Sequence, residues 1–332
     1  MRRLALLAFA LAAACSDALE QSTTTGQVIA VASADGAALS LISAADLSTS
    51  DVALSGSLGA NPRIASRGSI LLITSASSGV LTTVDLGQRP YHASPGPSPF
   101  ASVTDAVIED DSIAWVVSGT GLARVNYRTG TTRTLTVGSV NTGVVTTAGR
   151  VFVLCGNRTG TPLPPSYIRV VNPTTLSVED SIPLSGTGAT DLTVGDDSLI
   201  YVVDAGLPSD SAGKLSIVDP VARTEIVIVN GLGAGAGAPV FHPSGRLLVA
   251  SAFHGILEVN TLTRTLSRPP GHAITDGGQA VTGLAIDEAR RVYAADPDAC
   301  HVALLRVPPD YGEMRSFTVP GCPYSAAPAV VP

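Results

Sequence analysis

Residues 245–251 read Gly-Arg-Leu-Leu-Val-Ala-Ser, a turn followed at once by an apolar run of strand length. The same order of turn and apolar run recurs at six other places: 26–32, 68–74, 111–117, 149–155, 197–203 and 289–295. After each unit a second run ends in an apolar residue followed by a polar one, and a turn comes next. We call these two residues the marker pair: Ile42-Ser43, Val84-Asp85, Val125-Asn126, Val171-Asn172, Val218-Asp219, Val259-Asn260 and Leu305-Arg306. Successive pairs are 41 to 47 residues apart. A period of this length indicates a repeat architecture with seven units.

Each unit holds about four short runs rich in β-forming residues, separated by turn residues. No apolar pattern of helical period follows the first fifteen residues. Four strands in each of seven units predict an all-β fold, a seven-bladed β-propeller with four-stranded antiparallel blades. A solenoid or a pair of sandwiches is the alternative, and the even recurrence of the turn and strand unit favours the propeller.

Both ends of the chain fit a closed ring. Residues 16–26 are too polar to supply an inner strand, so the first unit begins at its second strand. Residues 326–332 (Ala-Ala-Pro-Ala-Val-Val-Pro) are apolar and align with the inner strands expected at 61–65 and 238–241. We therefore predict that the C-terminal strand completes the first blade and closes the ring, which removes open sheet edges.

The unit at 245–251 with its preceding Phe-His-Pro-Ser, and the unit at 197–203 with the later Val-Asp-Pro at 218–220, resemble the YVTN-type propeller repeat. This repeat is shared by lactonase-like and NHL-like propellers and by surface and periplasmic binding propellers. The resemblance covers roughly residues 26–332 and concerns a repeat type. It implies the fold strongly and the function weakly.

The N-terminus has the features of an export signal. Three residues with two arginines precede an apolar run of 11 residues at 4–14, which is too short to span a bilayer. The run ends in Leu-Ala-Ala-Ala before Cys15 and so resembles a bacterial lipobox, although Ala12 stands where leucine is usual. A plain signal peptidase site with an unmodified Cys15 is the alternative. The expected organisation is a signal peptide at 1–14, a lipidated cysteine and polar tether at 15–25, and the propeller at 26–332.

The lipobox predicts a lipid-anchored protein of the bacterial cell envelope, since two or three acyl chains on one residue anchor stably. Ser16 follows Cys15 where some bacteria use aspartate to retain lipoproteins in the inner membrane, so the outer membrane is favoured, although Asp17 weakens this inference. The chain carries 20 basic and 27 acidic residues, a net charge of −7. Without a basic stripe, nucleic acid is not an expected partner.

Three cysteines besides Cys15 remain in an oxidising compartment: Cys155, Cys300 and Cys322. Of the possible pairs, Cys300 with Cys322 is the one local to a single blade, so we predict this disulfide. Cys155 occupies a strand position that other units fill with small residues, and we interpret it as a buried residue and not a nucleophile. The chain lacks Cys-x-x-Cys-His and has a single tryptophan, so no haem or quinone cofactor is expected.

No cofactor is expected, and a divalent cation is the one exception for which the sequence offers ligands. The residues that open the inner strands are aligned as Pro62, Asp105, Gly143, Asp191, Pro239, Gly283 and Pro328. These positions surround one end of a propeller's channel, so Asp105 and Asp191 are candidates to share a cation through carboxylate oxygens. The alternative is that the threonine and aspartate pairs here bond the backbone at the strand starts.

Long connections at 89–103, 156–167, 204–214 and 268–279 are predicted to open on the same face as the channel mouth. The loop histidines fall in such connections, including His301. The candidate binding residues of this face are His92, Asn157, Arg158, Asp204, Asp210, His254, His272 and Asp276.

These patterns predict a non-catalytic binding or scaffold module that uses its long-loop face, with an envelope protein or a glycan as partner. The alternative is a lactonase- or lyase-like propeller hydrolase with a metal at the channel mouth. That enzyme would use Asp105, Asp191 and one of the loop histidines.

Overall fold

The structure, a computed structural model, describes residues 26–332 except 35, 97, 139, 157–159, 161, 207–212 and 276–279. Cys15, Asn157, Arg158, Asp210 and Asp276, together with the signal and tether segments, lie outside the described residues. The described part is almost entirely β-strand, with one short 3₁₀ helix at Pro270–His272.

The strands are numbered here in chain order. They are β1 (Gly26–Ala34), β2 (Ala38–Ser43), β3 (Thr49–Ala53), β4 (Pro62–Arg67), β5 (Ile70–Ser75), β6 (Ser78–Asp85), β7 (Ala93–Gly96), β8 (Asp105–Ile108), β9 (Ile113–Ser118), β10 (Gly121–Asn126), β11 (Thr132–Thr136), β12 (Asn141–Thr147), β13 (Arg150–Cys155), β14 (Pro165–Asn172), β15 (Ser177–Thr187), β16 (Ala189–Val194), β17 (Ile200–Asp204), β18 (Lys214–Asp219), β19 (Thr224–Asn230), β20 (Ala236–His242), β21 (Arg246–Ser251), β22 (Gly255–Asn260), β23 (Thr265–Arg268), β24 (Gly283–Ile286), β25 (Val292–Asp296), β26 (His301–Leu305), β27 (Glu313–Thr318) and β28 (Cys322–Val331).

The strands form seven four-stranded antiparallel sheets, the blades. Blades two to seven each consist of four consecutive strands, beginning with β4, β8, β12, β16, β20 and β24. Blade one has the order β28-β1-β2-β3, with β28 innermost. The predicted all-β, seven-bladed propeller is therefore confirmed.

The C-terminal strand closes the ring as predicted. β28 pairs antiparallel with β1 from Gly26 opposite Val331 to Ala34 opposite Cys322. The strand is longer than the apolar run at 326–332 indicated, because β1 offers nine residues of unpaired edge on its inner side. Closure thus joins one strand from the C-terminus to three from the N-terminus.

The second strand of each blade is buried on both faces. Every residue of β5 and every residue of β9 is buried, since neighbouring blades cover both sides of each sheet. The cluster between blades seven and one shows this packing, with Ile29 against Tyr293 and Leu304. This two-sided burial explains why the repeat reads as an unbroken apolar run and not as an alternating strand.

An asparagine or aspartate in the marker pair ends the third strand with an Asx turn. In four blades its side-chain oxygen accepts hydrogen bonds from the backbone N–H groups two and three residues later: Asn126, Asn172, Asp219 and Asn260. Such local bonding favours asparagine and aspartate at this position. The second half of the repeat is therefore a turn signature.

Cys300 and Cys322 form the predicted disulfide. Its position in the ring differs from the expectation of a bond within one blade. Cys300 directly precedes β26 of blade seven, whereas Cys322 is the first residue of β28 in blade one. The bond ties the closing strand to the neighbouring blade, and closing an interval of 22 residues stabilises by roughly 3 kcal/mol in the loop-entropy description.

The two faces of the ring carry different connections. We call the loop face the one bearing the links from second to third strand and from outer strand to next inner strand; the turn face bears the others. Connections containing His254 and His272 open on the loop face, and His301 begins a third strand at that face.

His92 lies on the turn face, which corrects the prediction that it belongs to the binding face. The sequence predicts one long connection at 89–103, but this stretch contains β7, the outer strand of blade two. Residues 86–92 join β6 to β7 and therefore open on the turn face. The sequence of β7, Ala-Ser-Pro-Gly, does not predict a strand, because proline and glycine are depleted in strands.

Candidate functional site

The inner strands surround a channel with a cavity of about 610 Å³. All seven blades contribute to its wall, which consists mostly of small and apolar residues. The ionisable side chains among the described lining residues are Arg63, Asp105, Asp191 and Tyr324. The first three stand near the starts of inner strands, so the charges gather where the channel opens on the loop face.

Arg63 spans the channel mouth. It is the second residue of β4 in blade two, and its Nη1 donates to Asp191 Oδ2 in blade five at 2.5 Å. Its Nη2 donates to the carbonyl oxygen of Thr190 at 3.3 Å. Blades two and five lie on nearly opposite sides of the ring, so this ion pair spans the channel mouth.

The strand register differs from the predicted ring at several positions, two of which bring in other side chains as follows. Asp105 pairs with Val117 and Asp191 with Val203. The residue that aligns with these two partners in blade two is Thr74, and it pairs with Arg63 and not with Pro62. In the closing strand the corresponding residue is Ser325, not Pro328. The alignment missed Arg63 because the turns before the second strands differ in length, and a one-residue slip turns a side chain to the other face.

Asp105 is the first residue of β8 and faces the channel beside the Arg63–Asp191 ion pair. Its Oδ2 accepts a hydrogen bond from the Val144 N–H at 2.9 Å. Burial raises the pKa of the Asp105 carboxyl to about 7, with the Arg63 charge acting in the opposite direction and the Asp191 charge adding to the rise. The Asp105 carboxyl therefore takes up a proton more readily than an exposed aspartate does.

Asp191 is the partner that keeps Arg63 in place. Besides the guanidinium, it accepts the N–H of Leu192 through Oδ1 at 2.7 Å. Asp105 Oδ2 and Asp191 Oδ1 lie 3.6 and 3.8 Å from the point where a side chain on Gly143 would begin. Both carboxylates thus lie near blade four, and Leu192 Cδ2 is closer to the same point than either oxygen. The carboxylates of Asp191 and Asp105 raise the pKa of Arg63 despite its burial, so the guanidinium stays charged.

Threonine hydroxyls fix the strand starts around the mouth. Three of them donate to a carbonyl oxygen of the following blade: Thr104 to Asn141 at 3.1 Å, Thr190 to Ala236 at 2.9 Å and Thr282 to Tyr324 at 2.7 Å. These bonds are the backbone bonding at the strand starts that the sequence offers as the alternative to a metal site. The charged groups therefore stand on a rigid ring.

The structure brings Asp105 and Asp191 together but adds few further ligands. In the described part of the chain, no group of three or more His, Cys, Asp and Glu side chains is placed to hold a metal ion. Among the described residues that line the cavity, none is a histidine. His254 and His272 thus share the loop face with the aspartates without joining them in the channel.

Asp204 is buried, which corrects its assignment to the exposed binding face. The side chain is 1% exposed. Its Oδ2 accepts the Ser216 hydroxyl at 3.0 Å, and its Oδ1 has no hydrogen-bond partner. Burial raises the pKa of Asp204 to about 7, against the effect of the Ser216 hydrogen bond. The residue acts inside the fold and not at the surface.

Two other residues differ in how well the sequence indicated them. Phe253, in the link between β21 and β22, lines the cavity at the loop face and is 51% exposed. The sequence marks it only as an aromatic residue in a turn, which by itself does not indicate a place in the channel mouth. Cys155 is buried as interpreted, and burial raises the pKa of its thiol to about 11.

These features define a seven-bladed β-propeller with a central channel whose loop-face mouth carries an ionisable cluster. The chain is similar to a functionally unknown protein from Desulfotomaculum acetoxidans DSM 771, with a TM-score of 0.70 and 13% identity over 92% of this chain and 99% of that one. It is also similar to apo AztD from Citrobacter koseri, with a TM-score of 0.63 and 12% identity over 92% and 98%. Similarity to Kuenenia stuttgartiensis hydrazine synthase has a TM-score of 0.65 and 14% identity, and covers 80% of this chain and 89% of that one.

At these identities the likenesses show the fold alone. No protein-family model matches the chain, and no curated protein matches it. In the described residues, no helix has the length and apolar character needed to cross a membrane.

Proposed function

We propose that the chain is a non-catalytic binding propeller of the bacterial envelope, built from YVTN-type repeats, whose ligand enters at the loop face. The observation that carries this proposal is the cavity of about 610 Å³ with a charged mouth on that face. Pockets of this size with apolar walls and a few convergent polar groups are typical ligand sites. Connecting residues such as 269–275 on the same face add surface for a larger partner, an envelope protein or a glycan.

The contacts of the mouth favour binding over the alternative of a metal-dependent hydrolase. Arg63 already occupies one carboxylate of the aspartate pair, and its positive charge opposes a divalent cation at the same place. The described cavity wall supplies no histidine as a general base. The groups present are suited to orienting a ligand.

The same proposal includes a lipid anchor on Cys15 and an outer-membrane location. Replacement Cys15→Ala is expected to lower the membrane-bound share of the protein about tenfold, because acyl chains supply the membrane affinity. Cell fractionation with immunoblotting measures this, with Ser16→Ala as the matched control. A Cys15→Ala protein that still sediments with membranes and is released by detergent would disprove the anchor.

The choice of binding face is tested by site-specific photo-cross-linking in intact cells. The benzophenone amino acid p-benzoylphenylalanine is placed at Phe253 on the loop face or at Leu262 on the turn face of the same blade. These side chains are 51% and 87% exposed. We expect position 253 to form adducts and position 262 to form few, because the probe reacts only with groups within contact distance. Equal adducts from both positions, or adducts from 262 alone, would refute binding at the loop face.

A further inference from the structure

Exposed apolar side chains are concentrated on one side of the turn face. Three of them lie in links between a third and an outer strand: Val221 in blade five, Leu262 in blade six and Val307 in blade seven. They are 79%, 87% and 42% exposed. Because the three blades are neighbours in the ring, these side chains follow one another along the rim of the turn face.

Two strand ends continue this row toward blade one. Met314 is the second residue of β27, a strand that begins at the turn face. Val330 is next to last in β28, which ends at the turn face, and it is paired with Gln27. Both side chains are exposed. We call the five residues the apolar arc: Val221, Leu262, Val307, Met314 and Val330.

The other side of the turn face is polar. The equivalent links of blades two, three and four, 86–92, 127–131 and 173–176, expose no large apolar side chain. Arg128 and Thr174 stand where Val221 and Leu262 stand, two residues after the marker pair. Single exposed apolar residues are common on protein surfaces, but groups of them mark contacts with a protein or a membrane.

The start of the propeller lies beside the apolar arc. β1 runs from the turn face to the loop face, so Gly26 lies at the turn face. The side-chain oxygen of Gln27 accepts the N–H of Glu288 in a turn-face link of blade seven, which fixes this start next to that blade. Residues 16–25 separate Gly26 from Cys15, and such a segment reaches at most about 40 Å. A lipid on Cys15 would therefore attach the domain to a bilayer from the side that carries the arc.

We propose that the apolar arc docks on the bilayer that holds the lipid anchor, with its side chains in the headgroup region. The proposal rests on the anchor in the proposed function. Val221 and Leu262 contact little of their own domain, so they lose apolar contact with water when they enter the bilayer. The tether keeps the lipid surface at a high local concentration, so a few side chains suffice. Docking turns the loop face and its channel mouth away from the membrane.

Tryptophan quenching in vesicles tests this docking. The lipidated full chain with Leu262→Trp is reconstituted into vesicles of phosphatidylethanolamine and phosphatidylglycerol, with or without bromine on the acyl chains. We expect brominated lipid to lower the fluorescence of this variant about twofold, because a docked side chain lies at the boundary of headgroups and acyl chains. The native Trp115 is fully buried and gives a background common to all variants.

Two control positions locate the contact. Phe253→Trp lies on the loop face of the same blade, and Thr174→Trp lies in the equivalent turn-face link of blade four. Both positions are exposed, so the substitutions leave the fold intact. We expect no quenching at 253 and weaker quenching at 174 than at 262. No quenching at 262, or equal quenching at 262 and at either control position, would overturn docking through the arc.

Photo-cross-linking gives a second measurement in intact cells. The benzophenone at position 262 is expected to form adducts of lipid mass, which mass spectrometry separates from the protein or glycan adducts counted at position 253. Protein adducts at 262 without lipid adducts would assign the arc to a protein partner and refute docking on the bilayer.

The Cys15→Ala fractionation separates this proposal from the anchor on which it rests. If that variant leaves the membrane and Leu262→Trp is not quenched, the docking falls and the anchor stands. If the variant stays on membranes and Leu262→Trp is quenched, the anchor falls and membrane contact through the arc stands. A variant that stays on membranes without quenching at 262 removes both.

Discussion

Deletion of residues 326–332 is expected to leave the chain without a cooperative fold at room temperature. These residues form most of the inner strand of blade one and pair with β1. Ala327, Ala329 and Val331 are buried in the ring. Their loss opens the ring, exposes the apolar sides of two blades and frees an edge strand. The combined cost exceeds the stability of a typical domain, about 5–15 kcal/mol.

Circular dichroism melts of the truncated protein measure this effect. A chain that lacks residues 16–25 instead is the matched control, since this segment has a polar sequence of similar length. We expect the control to keep its midpoint within about 2 °C, as surface changes typically do. Similar midpoints for the two deletions would show that the C-terminal strand does not hold the ring together.

Replacement Asp204→Asn is expected to stabilise the protein at alkaline pH by up to about 4 kcal/mol. The carboxyl pKa is near 3.8 in the unfolded chain and about 7 in the fold, where burial raises it. The folded state thus binds the proton more tightly. Stability from this group is fully present below pH 3.8 and is lost as pH rises through 7, at about 1.4 kcal/mol per pH unit. An amide is never charged, so the variant escapes this loss.

Urea denaturation at pH 4 and pH 8 separates the two states. The variant and the unmodified protein should have nearly equal stability at pH 4 and should diverge at pH 8. Asp298→Asn, at an exposed site, serves as the control and should show no difference at either pH. A variant no more stable than the unmodified protein at pH 8 would mean that Asp204 ionises without cost in the fold.

The sequence alone determined the number of blades, the closure of the ring and the disulfide pairing. The repeat is visible because its parts are local. A strand that is buried on both faces appears as an apolar run, and the asparagine or aspartate that ends five of the seven marker pairs bonds backbone groups only two or three residues away. The closing strand could be predicted from the sequence because a first unit with three strands requires a fourth strand from elsewhere in the chain.

Only the tertiary structure decided the site. Arg63 and Asp191 are 128 residues apart in the chain, and no local pattern relates them. The pairing of β4 with β5 put Arg63 into the channel, where the repeat alignment had placed Pro62. Likewise the pairing of β7 with β6 moved His92 to the turn face, and burial by surrounding strands removed Asp204 from the surface. Side-chain direction in a strand changes with every one-residue shift, and register is set by partner strands whose contacts the local sequence does not record.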